Sequence, residues 1–172
     1  NAPGAGANST AQAVPNTEYW KKYSQLGFYF ANDYPKQGQV TDFTNQIQIY
    51  DNQKDDYKKQ TNAEQTGIFF NSVVDGNYAK LNELVTDLAK QLSTDKTLKI
   101  TINLNASCSA PAKQTYNDEL ARRRVESARL FFSQNTALKE FYKEQRLIIP
   151  DVKTVKGENA QVRKFDSKSG QF

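Results

Sequence analysis

Hydrophobic residues recur at helical spacing in two long stretches of this 172-residue chain. In residues 77–93 the apolar positions fall on one side of a helix, and charged or amide side chains occupy the other positions. The apolar stripe consists of Tyr78, Leu81, Leu84, Val85, Leu88 and Leu92. The pattern predicts an amphipathic helix there, and a similar pattern predicts a second helix over 115–133.

The hydrophobic period changes to two between these helices. Apolar residues at alternate positions from Leu98 to Ala106 predict a half-buried strand. Shorter β-prone segments at 27–31, 147–149 and 161–165 predict further strands. The order of strands and helices predicts an α+β fold, an α/β sandwich in which helices pack on one face of a small mixed β-sheet.

Two further segments follow the first predicted strand. Thr41 is placed to cap a helix that continues to about Tyr57. Residues 62–75 are ambiguous between helix and strand, and we expect a helix that ends at the turn Asp75-Gly76. Residues 1–15 are rich in Gly, Ala, Asn and Pro, which predicts a linker or tail before a single domain over 16–172.

Composition excludes several kinds of chemistry. The sequence has no His, which rules out His-based acid–base catalysis and His-ligated metals, and its one Cys cannot form an internal disulfide. No apolar run approaches the roughly 20 residues of a membrane-spanning helix. The net charge is +4, but the basic residues are scattered along the chain and no nucleic-acid-binding motif accompanies them. Nucleic-acid binding is therefore not expected. The lack of any Met leads us to expect a processed or truncated chain.

The predicted helix over 115–133 carries polar residues within its apolar face. At about 100° per residue, Arg124 and Asn117 fall among the apolar positions, whereas Arg122, Arg123 and Arg129 fall outside them. A buried guanidinium needs compensation. Arg124 must therefore reach a carboxylate, a group of backbone carbonyls or an anionic ligand, and the sequence leaves these alternatives open.

The spacing of Asn117, Leu120 and Arg124, after a strand and a small-residue loop, resembles the signature of the OmpA-like peptidoglycan-binding domain. Val125 replaces the usual Ala, and Ala128 stands where a Val is usual. Residues 28–33 resemble the opening strand of the family, and the resemblance spans roughly 27–165. Residues 36–76 are then an insertion, longer than the short helix usual at this place.

The resemblance implies a non-catalytic periplasmic domain, without cofactor or metal, that tethers an outer-membrane or envelope protein to the cell wall. In the family, a helix Arg binds the carboxylate of diaminopimelate in the peptidoglycan stem peptide, and a loop Asp binds its ammonium group. Arg124 matches the Arg, whereas Cys108 or Ser109 stands nearest the Asp. The predicted ligand-binding residues are Arg124, Asn117, Ser107, Cys108, Ser109, Asn32 and Asp33.

A second interpretation is a degenerate OmpA-like fold that acts as a protein–protein interaction module in an envelope or secretion complex. In that case Arg124 pairs within the protein, and the 36–76 insertion contacts the partner. An enzyme is not expected, because the sequence shows no nucleophile motif and no spaced pair of catalytic carboxylates.

Overall fold

A computed structural model of the chain describes residues 17–24, 26–60, 62–108, 113–150 and 158–159. Most of these residues are helical. A 3₁₀ turn spans Lys21–Tyr23, and a π-helical segment spans Phe69–Val74. The α-helices are α1 (Thr17–Trp20), α2 (Phe43–Asn52), α3 (Lys54–Gln60), α4 (Ala63–Ile68), α5 (Asp75–Thr94), α6 (Gln114–Gln134) and α7 (Lys139–Lys143).

The strands of the described residues are short and pair two by two. They are β1 (Ile100–Thr101), β2 (Ser107–Cys108), β3 (Leu147–Ile148) and β4 (Glu158–Asn159). β1 pairs with β3 and β2 pairs with β4, and both pairs are parallel. The predicted α+β sandwich with a mixed β-sheet is therefore wrong, since the described chain is mostly helical with minimal strand pairing.

The first predicted strand shows why the sheet prediction failed. Residues 26–30 have no regular secondary structure, and no backbone hydrogen bond between described residues joins them to 100–106. Aromatic packing holds the segment instead: the ring of Phe28 lies 4.7 Å from that of Phe43 and 6.0 Å from that of Phe132. The β-prone composition reflected burial of aromatic side chains, which does not require a strand neighbour. The predicted strand 161–165 lies outside the described residues.

The strongest predicted helix is confirmed and extended. α5 buries Leu81, Leu84, Val85, Leu88 and Leu92, as the apolar stripe predicts. It begins earlier than expected, because Asp75 has helical φ and ψ angles of −65° and −38° and the chain enters α5 directly from the π-helical segment. The predicted turn at Asp75-Gly76 is therefore absent from the structure.

Helix α2 begins one residue later than predicted. Asp42, rather than Thr41, is its N-cap, and the Asp42 carboxylate accepts a hydrogen bond of 2.7 Å from the backbone N–H of Thr44. The Thr41 hydroxyl accepts a hydrogen bond from Gln46 instead. The predicted single helix ends at Asn52, and α3 starts at Lys54, so the insertion consists of three short helices and the π-helical segment.

The main core lies between α5, α6 and β3. Its fully buried members include Leu88, Leu92, Phe132, Leu138 and Leu147. Burial of each such side chain stabilises the fold by roughly 1.5–3 kcal/mol relative to exposure. Because α6 is packed into this core, it provides a fixed support for the arginines that it carries. None of the described helices combines the length and the hydropathy that membrane crossing requires.

Candidate functional site

Two neighbouring arginines of α6 hold the turn at residues 31–35, which we call the binding turn. Nε of Arg123 donates a hydrogen bond of 2.7 Å to the carbonyl oxygen of Pro35. Nε of Arg124 donates to the carbonyl oxygen of Tyr34 at 3.1 Å, and its Nη2 donates to that of Ala31 at 3.4 Å. These contacts tie a turn early in the chain to a helix about ninety residues later.

Arg124 lies at the wall of a cavity of about 530 Å³. The guanidinium is 5.5 Å from the centre of the Phe30 ring, a cation–π contact that orients its plane. Asn103 and Asn105 line the same cavity. A guanidinium at a cavity wall can donate paired hydrogen bonds to a carboxylate.

Asp33 lines a second cavity, of about 430 Å³. The hydroxyl of Tyr116 donates a hydrogen bond of 2.8 Å to the Asp33 carboxylate, and this bond raises the pKa of Tyr116. Glu119 and Arg123 line this cavity too, and their charged atoms are 3.5 Å apart. The second cavity therefore presents both signs of charge near the α6 N-terminus.

The structure thus gathers three of the predicted site residues around one turn. Asn32 and Asp33 belong to the binding turn, and Arg124 holds it. Arg124 and Asp33, however, line different cavities. Asp33 itself has a left-handed backbone conformation, with a φ of 59°.

The other predicted site residues have different outcomes. Asn117 is only 1% exposed and lies two helical turns before Arg124, and its backbone N–H donates to the carbonyl of Lys113. Ser107 and Cys108 form β2, which pairs with β4, but the structure describes only their backbone. Ser109 lies outside the described residues. The predicted contribution of this loop to the ligand site stays a prediction.

Sequence reasoning missed Arg123. It was placed outside the apolar face of α6, but its side chain is almost completely buried. Its position on the helical wheel is about 60° from Leu120, at the edge of the face, where an element packing from outside decides burial. The binding turn covers it, and no local pattern predicted that the turn would pack there.

No group of three or more potential metal ligands occurs among the described residues. The comparisons with known proteins give no further guidance, because no family model, curated protein or solved structure matches this chain.

Proposed function

We propose that this protein is a non-catalytic binding domain of the cell envelope that holds the carboxylate of a peptidoglycan stem peptide through Arg124. One observation carries the proposal: Arg124 is fixed to the binding turn by two backbone carbonyls and lies at the wall of a cavity of about 530 Å³. A cavity of this size is typical of small-ligand sites. The OmpA-like resemblance of the α6 motif supports the choice of ligand, diaminopimelate.

Asp33 supplies the complementary charge in this proposal. The ligand's amino-acid centre carries an ammonium group beside its carboxylate, and Asp33 is the acidic residue of the binding turn. Because Arg124 and Asp33 line different cavities, the ligand has to extend from one to the other for both charges to be used. This arrangement replaces the loop Asp that the sequence lacks near Cys108.

The test is an NMR titration with a soluble stem peptide that contains diaminopimelate. We expect shifts at residues 30–35 and around Arg124, and Arg124→Ala weakens binding at least about tenfold because a charge-assisted hydrogen bond is lost. Arg122→Ala is the matched control, since Arg122 lies on the same helix and pairs with Glu119 at the surface. A peptide with Lys in place of diaminopimelate lacks the second carboxylate and should bind more weakly.

Arg124 also holds the binding turn, so its removal affects local structure as well as charge. Arg124→Lys addresses this, because Lys retains the positive charge while losing the forked geometry. Partial recovery of binding in Arg124→Lys supports a role for charge. A titration that moves no signal in the parent protein contradicts the proposal.

The second candidate function is a protein–protein interaction module in an envelope or secretion complex. The observation that favours it is the organisation of the insertion, where α2, α3 and α4 form a helical layer with mixed acidic and basic residues at its surface. If the parent protein binds no stem peptide, pull-down of envelope proteins with and without the insertion substitutions Asp55→Lys and Lys59→Glu tests this alternative.

A further inference from the structure

Helix α3 of the insertion is hydrogen-bonded to the binding turn through Tyr57. The hydroxyl of Tyr57, on α3, accepts a hydrogen bond of 3.0 Å from the backbone N–H of Asn32. The same hydroxyl donates to Oε1 of Gln53 at 3.2 Å. Because a phenolic hydroxyl has one proton to donate, the bond to Gln53 leaves its lone pairs directed toward the Asn32 N–H.

The Tyr57 ring is held by other parts of the insertion. It lies 5.8 Å from the ring of Tyr50 on α2 and 6.2 Å from the ring of Phe70 in the π-helical segment. Nζ of Lys54 lies 5.2 Å from the centre of the Phe70 ring on the same cluster. The hydroxyl position therefore depends on how three segments of the insertion pack together.

The binding turn is thus bonded from two independent elements. Arg123 and Arg124 of α6 bind its carbonyl groups, and Tyr57 of α3 binds its Asn32 N–H. Within the turn, Asp33 has a left-handed φ of 59°, a conformation that Asp adopts more readily than most residues with a side chain but that is less favourable than the right-handed one. Such a conformation persists when surrounding contacts fix it. The loss of one contact should loosen the turn.

We propose that Tyr57 is a positioning residue through which the insertion sets the conformation of the binding turn. Resting on the proposed function, the inference has a consequence for binding: the packing of the insertion adjusts the affinity for the stem peptide without any contact between Tyr57 and the ligand. The insertion is then a control element of the ligand site as well as a helical layer.

The variant Tyr57→Phe removes the hydroxyl and keeps the ring, so the contacts with Tyr50 and Phe70 remain. Tyr78→Phe is the matched control, because the Tyr78 hydroxyl is buried and has no hydrogen-bond partner among the described residues. The first readout needs no ligand: it is the amide hydrogen exchange rate and chemical shift of Asn32. We expect exchange about fivefold faster in Tyr57→Phe, the factor that corresponds to one ordinary hydrogen bond, and no change in Tyr78→Phe.

The second readout is the affinity for the diaminopimelate-containing stem peptide. We expect Tyr57→Phe to weaken it about threefold to tenfold, and Tyr78→Phe to leave it unchanged. Faster Asn32 exchange with weaker binding supports the proposal. Unchanged exchange overturns the positioning role, and faster exchange with parental affinity overturns the control of the ligand site.

Failure of the proposed function gives a different result. If the parent protein binds no stem peptide, the ligand assignment is wrong, and the exchange of Asn32 still decides the structural part of the inference. Faster exchange in Tyr57→Phe then supports the positioning of the turn by the insertion, and parental exchange overturns it.

Discussion

Nε of Arg123 donates a 2.7 Å hydrogen bond to the carbonyl oxygen of Pro35, a residue 88 positions earlier in the chain. The guanidinium is also 3.5 Å from the Glu119 carboxylate and 5.9 Å from the centre of the Tyr116 ring. A buried cation with these partners fixes the binding turn to α6. Arg123 therefore acts on the candidate site indirectly, by holding the binding turn in place.

Arg123→Ala should destabilise the protein by about 2 kcal/mol, because the substitution removes a charge-assisted hydrogen bond and leaves the buried Pro35 carbonyl without that donor. The measurement is urea unfolding followed by circular dichroism. Arg122→Ala is the control, and we expect a change below about 1 kcal/mol because its pair with Glu119 is at the surface. Equal effects of the two variants would contradict the structural role of Arg123.

Arg146 should be a second stabilising arginine. Its Nη2 donates to the carbonyls of Leu92 and Asp95 at the end of α5, and its Nε donates to that of Leu98 at 3.3 Å. A cation at a helix C-terminus satisfies carbonyls that the helix itself leaves unpaired.

We expect Arg146→Ala to lower the free energy of unfolding by about 2 kcal/mol. Arg146→Lys should lie between this variant and the parent, because one ammonium group cannot reach all three carbonyls. Lys143→Ala, at a largely exposed position, should change stability by less than about 0.5 kcal/mol. If Arg146→Ala unfolds at the parental denaturant concentration, the capping role is wrong.

Asp87 gives the stability a defined dependence on pH. It accepts hydrogen bonds from Lys22 at 2.7 Å and from Tyr23 at 2.5 Å, and these contacts lower its pKa below the ordinary value of 3.8. Since the folded-state pKa is the lower one, the stabilisation is complete above the unfolded-state value and is lost as the pH falls through the folded-state value.

The comparison of the parent with Asp87→Asn isolates this contribution. The parent should be the more stable protein at about pH 7, and the difference should shrink as the pH falls below about 4. Urea unfolding across this range is the measurement. A difference that does not vary with pH would show that Asp87 contributes by its shape or its neutral hydrogen bonds.

Tyr23 should make the stability of the protein depend on pH in the alkaline range. Burial and then the hydrogen bond to Asp87 raise its pKa to about 12 from the ordinary 10.0. Its contribution to stability is therefore complete below the unfolded-state pKa of about 10 and is lost as the pH rises through about 12. Tyr23→Phe should remove this loss, and unfolding measured against alkaline pH would detect it. The same alkaline loss in Tyr23→Phe would assign the effect to other groups.

Leu88 tests the core that positions α6. It is fully buried on α5 and packs in the main core. Leu88→Ala should cost about 3 kcal/mol through lost burial and the cavity that remains. Ile148→Ala is the control at a position that is 37% exposed, and we expect a smaller change, of about 1 kcal/mol. Similar melting temperatures for the two variants would contradict the assignment of the core.

The helices show how far the sequence could be interpreted. The apolar stripe from Leu81 to Leu92 follows from the spacing of nearby residues in the sequence, and the structure buries those residues as predicted. The predicted start of α5 was too late, because Asp75-Gly76 is typical of a turn. In the structure the π-helical segment runs directly into α5, so the backbone at Asp75 is helical. The turn propensity of these two residues is overridden by the helical segments on either side of them.

The site was predictable only in part, and its residues show why. The polar positions within the apolar face of α6 indicated Asn117 and Arg124, because helical geometry alone places them there. Arg123 gave no such indication, since its burial depends on the binding turn. The contact between Tyr57 and Asn32 joins residues 25 positions apart, and no pattern within either segment specifies it.

The sequence by itself determined the amphipathic helices α5 and α6 and the absence of histidine chemistry, because helical periodicity and composition are local properties. Only the tertiary structure decided that residues 26–30 pack through Phe28 without joining β1, and that Arg123 and Arg124 hold the binding turn. Strand pairing and the contacts of a buried cation need partners that are distant in the chain. Which partners meet is set by the packing of the whole core.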